Sequence, residues 1–510
     1  MLFNSFHFIL FFILVTITYY SLPQKYRWVL LLVASYYFYM CWRPVFIVLI
    51  IFSTFINYFL SLCIAREKDK KRKKQYLVLS LMINFGLLFL FKYSVFINET
   101  VMSLLRYFAN LFYTQRGLSA ENVTQSVRLL LDRYPAREFD IILPMGISFY
   151  TFQAASYTID VYEGRIKPIR HYGIFSLFIT FFPQLVAGPI ERSQNLLPQF
   201  YKKHDFKKER VLQGCKLMLL GYFKKIVIAD RAAVAVNAVY NSASEYSGLY
   251  LVAATLLFTF QIYCDFSGYS DIAMGSARVL GYDLMMNFDK PYLSKSIKEF
   301  WRRWHISLST WFMDYVYIPL GGNRYGKVNQ CKNLMVTFLV SGLWHGANWT
   351  FLLWGGLHGC YQVVGILTGN VRRNLKKILH LEHNRLAGIF GIIITFCLVA
   401  TGWIFFRANT IGDAFYVLGH LFDHMSHWGE PQYLFEVATG MGINLYEWKI
   451  ILLSILILII LEIMSGKKSI FAFWETKSYI LRLAFYVFIS VWVLTAGVYY
   501  NAGEFIYFQF

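Results

Sequence analysis

Apolar stretches recur from one end of this sequence to the other, at 5–22, 28–42, 45–64, 76–97, 141–162, 172–188, 211–228, 248–264, 333–343, 347–366, 387–406, 447–464 and 479–500. A run of about 20 apolar residues can cross a bilayer as a helix. The pattern therefore predicts an all-α, polytopic transmembrane helix bundle, built as one membrane domain over residues 1–510. Several stretches are short, and Gly or Pro interrupts some of them. Backbone facing lipid must be hydrogen-bonded within its own segment, so broken segments belong inside the bundle or along a cavity.

The polar intervals orient the spans. The loop REKDKKRKKQ (66–75) is the strongest cytoplasmic marker, because short loops rich in Lys and Arg stay inside. Three spans precede it, so the N-terminus is expected outside. Residues 98–140 then fall outside, and their apolar content predicts helices lying on the membrane surface. EGRIKPIR (163–170) and YKKHDFKKER (201–210) are both basic, yet only 172–188 separates them. A simple crossing would put them on opposite faces. Either 172–188 dips in and returns, or 189–200 forms a second half-span. FFPQLVAGPI (181–190) carries Pro183, Gly188 and Pro189, which points to a broken or re-entrant element. The first apolar run has no basic residue before it, and Lys25 and Arg27 follow it. It reads as a retained helix and not as a cleaved signal.

Composition narrows the function classes. The 510 residues are 57% hydrophobic and 15% charged, well below the roughly 25% charge of soluble proteins. The net charge of +20 sits in short loops between spans. It therefore speaks for topology and anionic lipid and not for nucleic acid. Seven cysteines are scattered without paired or metal-like spacing, so neither a disulfide framework nor a metal site is expected.

Three stretches carry candidate chemistry. In KPYLSKSIKEFWRRWHISLSTWFMDYVYIPLGGNRYGK (290–327), Trp301, Trp304, Leu308, Trp311, Phe312 and Tyr315 recur at helical spacing. This predicts one amphipathic helix from 298 to 315 at the membrane boundary, ended by IPLGGNRYG. In NLMVTFLVSGLWHGANWTFLLWGGLHG (333–359), Ser341, His345 and Asn348 are spaced i, i+4, i+7, so one helix would stack them on a single face. An ionisable residue at membrane depth marks a functional site by default. In QIYCDFSGYSDIAMG (261–275), Asp265 ends an apolar run and Asp271 follows a Ser-Gly-Tyr-Ser break.

A neutral imidazole can accept a proton from a hydroxyl near pH 7, and the oxygen so activated can attack a thioester carbonyl. A second polar group must hold the acceptor or the oxyanion. His345 and His305 are the catalytic candidates. Asp265, Arg302, Arg303, Ser307, Asp314, Asn323, Arg324, Ser341 and Asn348 are the substrate-binding candidates. Lys295, Lys298, Arg302, Arg303, Arg324 and Lys327 form a cationic cluster suited to the phosphates of a coenzyme. Blander readings stand beside these. His345 could be a hydrogen-bonded core residue, His305 a headgroup residue, the aspartates turn or cap residues, and the cations topology signals. His358 reads as structural. From residue chemistry alone, a transporter with His345 and Asp265 as a proton relay stays open.

Two motifs decide between enzyme and transporter at this level. FWRRWHISLSTWFMDYVYIPLGGNR followed by NLMVTFLVSGLWHGANWTFLLWGGLHG resembles the membrane-bound O-acyltransferase family, in the bacterial branch that O-acetylates alginate, peptidoglycan and other envelope polymers. A branch that D-alanylates teichoic acid is related. LPMGISFYTFQAASYTIDVY (143–162), FFPQLVAGPIER (181–192), YCDFSGYSDIAMG (263–275) and the terminal FIYFQF (505–510) extend the resemblance over most of the chain. Met313 stands where the alginate-type pattern often has arginine. The resemblance implies that His345 is the catalytic residue and His305 the second signature residue. It implies a helical ring around a thinned centre, with funnels entering from both faces. It also implies acetyl-CoA as cosubstrate, no tightly bound cofactor, and an extracytoplasmic polysaccharide acceptor. A separate extracytoplasmic Ser-His-type acetyltransferase partner and a bacterial inner-membrane location go with these. A D-alanyl donor on a carrier protein is the alternative.

Overall fold

The computed structural model describes residues 1–115, 143–186, 188–380, 384–499 and 505–506. Among them, seven helices are long and apolar enough to cross a membrane: Pro44–Arg66, Lys70–Lys92, Leu249–Val279, Trp349–Leu367, Arg385–Arg407, Leu445–Ser465 and Tyr479–Ala496. Shorter helices, Phe6–Ser21 and Ile147–Tyr162 among them, pack with these around a core rich in Phe, Tyr and Trp. Of the expected surface segment 98–140, the part up to 115 belongs to a helix, Ser94–Gln115. The remainder lies outside the described residues.

Side-chain contacts gather the basic loops on one face. Lys73, in the first turn of Lys70–Lys92 and within the 66–75 stretch, lies over the Tyr162 ring at 5.5 Å. Tyr58 donates to the Arg170 carbonyl, Trp28 meets His171, and Arg27 donates to the carbonyl of His204 at 2.5 Å. The loops at 66–75, 163–170 and 201–210 therefore share a side, which the positive-inside rule makes cytoplasmic. Between the last two run Tyr172–Thr180, 9 residues, and Ser193–Phe200, 8 residues. At 1.5 Å per residue neither can cross about 30 Å of hydrocarbon. The chain enters, turns near Pro183 and Gly188, and returns, with Ser193–Phe200 as the second half-span of the two alternatives.

Glycine acts here as a spacer. Lys208–Tyr222 runs on through a π-helical stretch, Phe223–Ala229, into Asp230–Tyr240. It packs along the 31-residue Leu249–Val279 helix. A Cβ on Gly214 would meet the Gly275 carbonyl oxygen at 2.6 Å, and one on Gly221 would meet that of Gly268 at 2.6 Å. Small residues seven apart on both helices thus let the two backbones touch, the usual device where lipid supplies no hydrophobic drive. This corrects the break expected at Ser-Gly-Tyr-Ser, because the helix runs unbroken through Gly268. Elsewhere polar glue serves. The Asn57 and Asn84 amides, buried on facing helices, exchange hydrogen bonds of 2.9 and 2.8 Å.

Candidate active site

The amphipathic segment expected from 298 to 315 is two helices. Ile297–Arg303 stops at Trp304, and Ile306–Phe312 starts after His305. His305 is left-handed, with φ of 43°, a conformation costly for a residue with a Cβ and held only when its surroundings insist. Those surroundings are the 287–289 segment. The Ile306 amide donates to the Asn287 carbonyl at 2.9 Å, and the Asp289 amide donates to that of Arg303 at 2.9 Å. Ser307 Oγ donates to Asn287 Oδ1 at 2.6 Å and accepts from the Ile190 amide at 3.1 Å. Asn287 in turn donates to Ser270 Oγ at 3.3 Å. One buried polar chain therefore ties the re-entrant turn, the 281–290 segment and the long helix to the kink. The imidazole of His305 is fully buried, edge-on to Phe266 at 4.6 Å.

His345 closes the Gly326–His345 helix. The helix ends there because Gly346 is extended and the next helix, Trp349–Leu367, is capped by Asn348. Ser341 thus shares a helix with His345, but Asn348 does not, which corrects the single polar face expected for the three. Asn348 Oδ1 accepts from the Thr350 amide at 3.1 Å, and its amide donates to the Asn409 carbonyl at 3.2 Å. Gly342 permits this corner. A Cβ there would stand 2.3 Å from the Phe351 carbonyl oxygen.

The two imidazoles share one indole. Trp344 lies 6.3 Å from the His305 ring and 4.9 Å from that of His345. Trp354 and Phe406 complete the aromatic wall around His345, at 4.9 and 5.4 Å. His345 borders a cavity of about 50 Å³ lined also by Trp42, Lys92, Met145, Ser148 and Phe149. That volume holds a few waters, not a coenzyme. Lys92 Nζ donates to the carbonyls of Trp344 and His345 at 2.7 and 2.9 Å. Lys92 ends the helix that begins at Lys70 beside the basic loop. At 1.5 Å per residue the 23 residues of that helix span about 35 Å. His345 therefore stands near the outer end of the bundle.

Toward the basic face, Asp314 accepts from Arg192 at 2.8 Å. The Arg192 guanidinium lies over Tyr315 at 4.7 Å, and Tyr315 donates to Asp160 at 2.8 Å. These groups line, with Arg165, a cavity of about 280 Å³. Arg303 pairs with Glu299 at 2.6 Å. Arg302, Asn323 and Arg324 are exposed and are not gathered around the histidines. Asp265 is buried on Lys225 at 2.7 Å and accepts the Ile506 amide at 2.8 Å. Asp271 is held by Lys224 at 2.7 Å. His358 accepts from Trp301 Nε1 at 3.3 Å within an aromatic cluster. Sequence reasoning missed Lys92, Lys224 and Lys225. Each is a cation inside or at the end of an apolar run, the signal that made His345 stand out.

The profile of MBOAT, the membrane-bound O-acyltransferase family, matches residues 167–406. The sequence is 39% identical over 410 residues to the probable alginate O-acetylase AlgI of Pseudomonas putida, covering 79% of this chain and 76% of that one. The chain belongs to the membrane-bound O-acyltransferase family. This O-acyltransferase is also 33% identical over 414 residues to a peptidoglycan O-acetyltransferase of Helicobacter pylori, covering 76% of this chain and 72% of the relative. To a teichoic acid D-alanyltransferase of Streptococcus thermophilus it is 29% identical over 281 residues, 51% of this chain and 68% of the relative. Enzyme class and multi-pass membrane character are thereby those expected from the sequence.

Proposed function

We propose that this O-acyltransferase takes acetyl groups from acetyl-CoA on the cytoplasmic side and passes them toward the hydroxyls of an extracytoplasmic polysaccharide. The observation that carries this reading is the pair of histidines. His345 borders a cavity at the outer end of the bundle, His305 lies behind the shared indole, and a second cavity, around Arg192 and Asp314, lies near the basic face. Such an arrangement suits a donor and an acceptor on opposite faces. His345 is the general base, its ring held by packing and its backbone by Lys92, and His305 is its companion across Trp344. Ser307 fixes the kink that presents His305. Lys295, Lys298, Arg302 and Arg303 approach the donor's phosphates as charges. No tightly bound cofactor takes part.

The acceptor class rests on the relatives, whose names specify alginate and peptidoglycan. An extracytoplasmic Ser-His-type acetyltransferase would complete delivery, at a bacterial inner membrane. Ester-linked acetate released by mild base from each envelope glycan tests the reading. Loss from one polymer in cells carrying His345→Ala names the acceptor. Unchanged acetate on every polymer refutes the acetyl-transfer role of His345. The likeness to the D-alanyltransferase favours a second donor, an aminoacyl group on a carrier protein. Labelling of membranes by free acetyl-CoA without any carrier decides against it.

A further inference from the structure

The cation beside His345 has more capacity than its helix contacts use. An ammonium has three N–H donors. Lys92 directs two to the carbonyls of Trp344 and His345, at 2.7 and 2.9 Å. No carboxylate among the described residues lies within ion-pair distance of it. Two buried cations of the bundle are matched differently, Lys224 with Asp271 and Lys225 with Asp230 and Asp265. Lys92 also lines the cavity that His345 borders. A half-buried cation without a counter-ion, facing a reaction cavity, suits an anion that exists only during the reaction.

Resting on the reading of His345 as general base, we propose that Lys92 is the oxyanion-stabilising residue of the outer cavity. Only the acetyl thioester tip of the donor enters this cavity; the acceptor hydroxyl oxygen adds to its carbonyl carbon, and the hydroxyl proton passes to the His345 imidazole. The carbonyl π pair moves onto oxygen, which takes the third N–H of Lys92. Collapse re-forms the carbonyl and breaks the carbon–sulfur bond, and the leaving sulfur receives the proton from His345. The charge on oxygen exists only between addition and collapse, so Lys92 strengthens binding of the transition state and leaves ground-state binding alone.

The experiment measures acetyl-CoA turnover in native membranes, which retain acceptor and partners, normalised to folded protein by thermal melting. Lys92→Gln keeps a donor for the helix end and loses the charge. Its kcat is expected to fall about 10²–10³-fold, with KM for acetyl-CoA within about twofold. Lys92→Arg keeps both charge and donors and is expected to exceed Lys92→Gln by at least about tenfold. Wild-type kcat in Lys92→Gln, or equal kcat in the Gln and Arg variants, overturns the role of Lys92 while an inactive His345→Ala keeps the general-base reading. Full turnover in His345→Ala refutes that reading and the present proposal with it. Should Lys92→Gln not fold, Lys92→Arg carries the test against wild type, and a rise in KM at constant kcat overturns the proposal.

Discussion

The ammonium of Lys225 is bonded to Asp265 at 2.7 Å, with both side chains almost fully buried. Asp230 shares the same nitrogen at 2.7 Å. One cation therefore stands between two carboxylates, and Asp265 accepts the Ile506 amide besides. Asp265 is thus held in the bundle by an ion pair and by a backbone amide of the C-terminal segment. Breaking such a cluster by removing one member leaves uncompensated charge and costs about 3–5 kcal/mol. Lys225→Met is expected to lose that much stability, while Lys225→Met with Asp265→Leu and Asp230→Leu recovers most of it. Thermal melting in mild detergent checks both. A triple variant no more stable than the single one would show that the cluster is not an isolated charge balance.

Gly342 and Gly356 provide a matched pair on neighbouring helices. A Cβ at Gly342 meets the Phe351 backbone oxygen at 2.3 Å, whereas one at Gly356 meets only the tip of Leu339 at 3.6 Å. Backbone cannot yield as a side-chain tip can, and overpacking of this kind costs about 1–3 kcal/mol or more. Gly342→Ala is expected to push apart the corner that carries His345 and to lose both melting temperature and acyl transfer. Gly356→Ala is expected to change neither, and serves as the control for expression. Equal behaviour of the two would mean that the helix pair adjusts freely.

Much of this was legible from the sequence, and the failures share a cause. The apolar runs located the spans, and the clash between the basic loops at 163–170 and 201–210 exposed the re-entrant element. The aromatic periodicity from Trp301 to Tyr315 ran straight through His305, because a left-handed residue leaves no mark in a hydrophobic pattern. The contact that enforces it comes from Asn287, on another segment. Likewise Gly346 and Asn348 signal a helix end and a new cap, but the i, i+4, i+7 spacing from Ser341 hid them. Asp265 showed itself as a buried charge, and its partners, 35 and 40 residues earlier in the chain, did not.

Ser307 is expected to matter more than Asp314. Ser307 is buried, donates to Asn287 at 2.6 Å and accepts from Ile190 at 3.1 Å. Ser307→Ala leaves the buried Ile190 amide unsatisfied and Asn287 Oδ1 with only the Ser307 amide, at about 1–3 kcal/mol, and loosens the kink at His305. Asp314 is about one-third exposed in its pair with Arg192, and such pairs contribute about 0–1 kcal/mol. Asp314→Asn is therefore expected to leave the melting temperature within about 2 °C, and Ser307→Ala to lower it clearly and to reduce acyl transfer. A larger loss of stability in Asp314→Asn would reverse this ranking.

Asn348 separates a cap from a substrate ligand by chemistry alone. Its Oδ1 receives the Thr350 amide at 3.1 Å at the first turn of Trp349–Leu367. Ser and Asp cap helices about as well as Asn, whereas Ala in their place costs about 0.5–2 kcal/mol. If Asn348 works as a cap, Asn348→Ser and Asn348→Asp keep both stability and acyl transfer, while Asn348→Ala loses stability and, through the corner at His345, some transfer. A ligand role predicts another order. A hydroxyl is shorter than the amide and a carboxylate only accepts, so all three variants would raise KM while Ser and Asp melt like wild type. Melting curves and KM for the three side by side distinguish the two roles, and the bonds to Thr350 and Asn409 favour the cap.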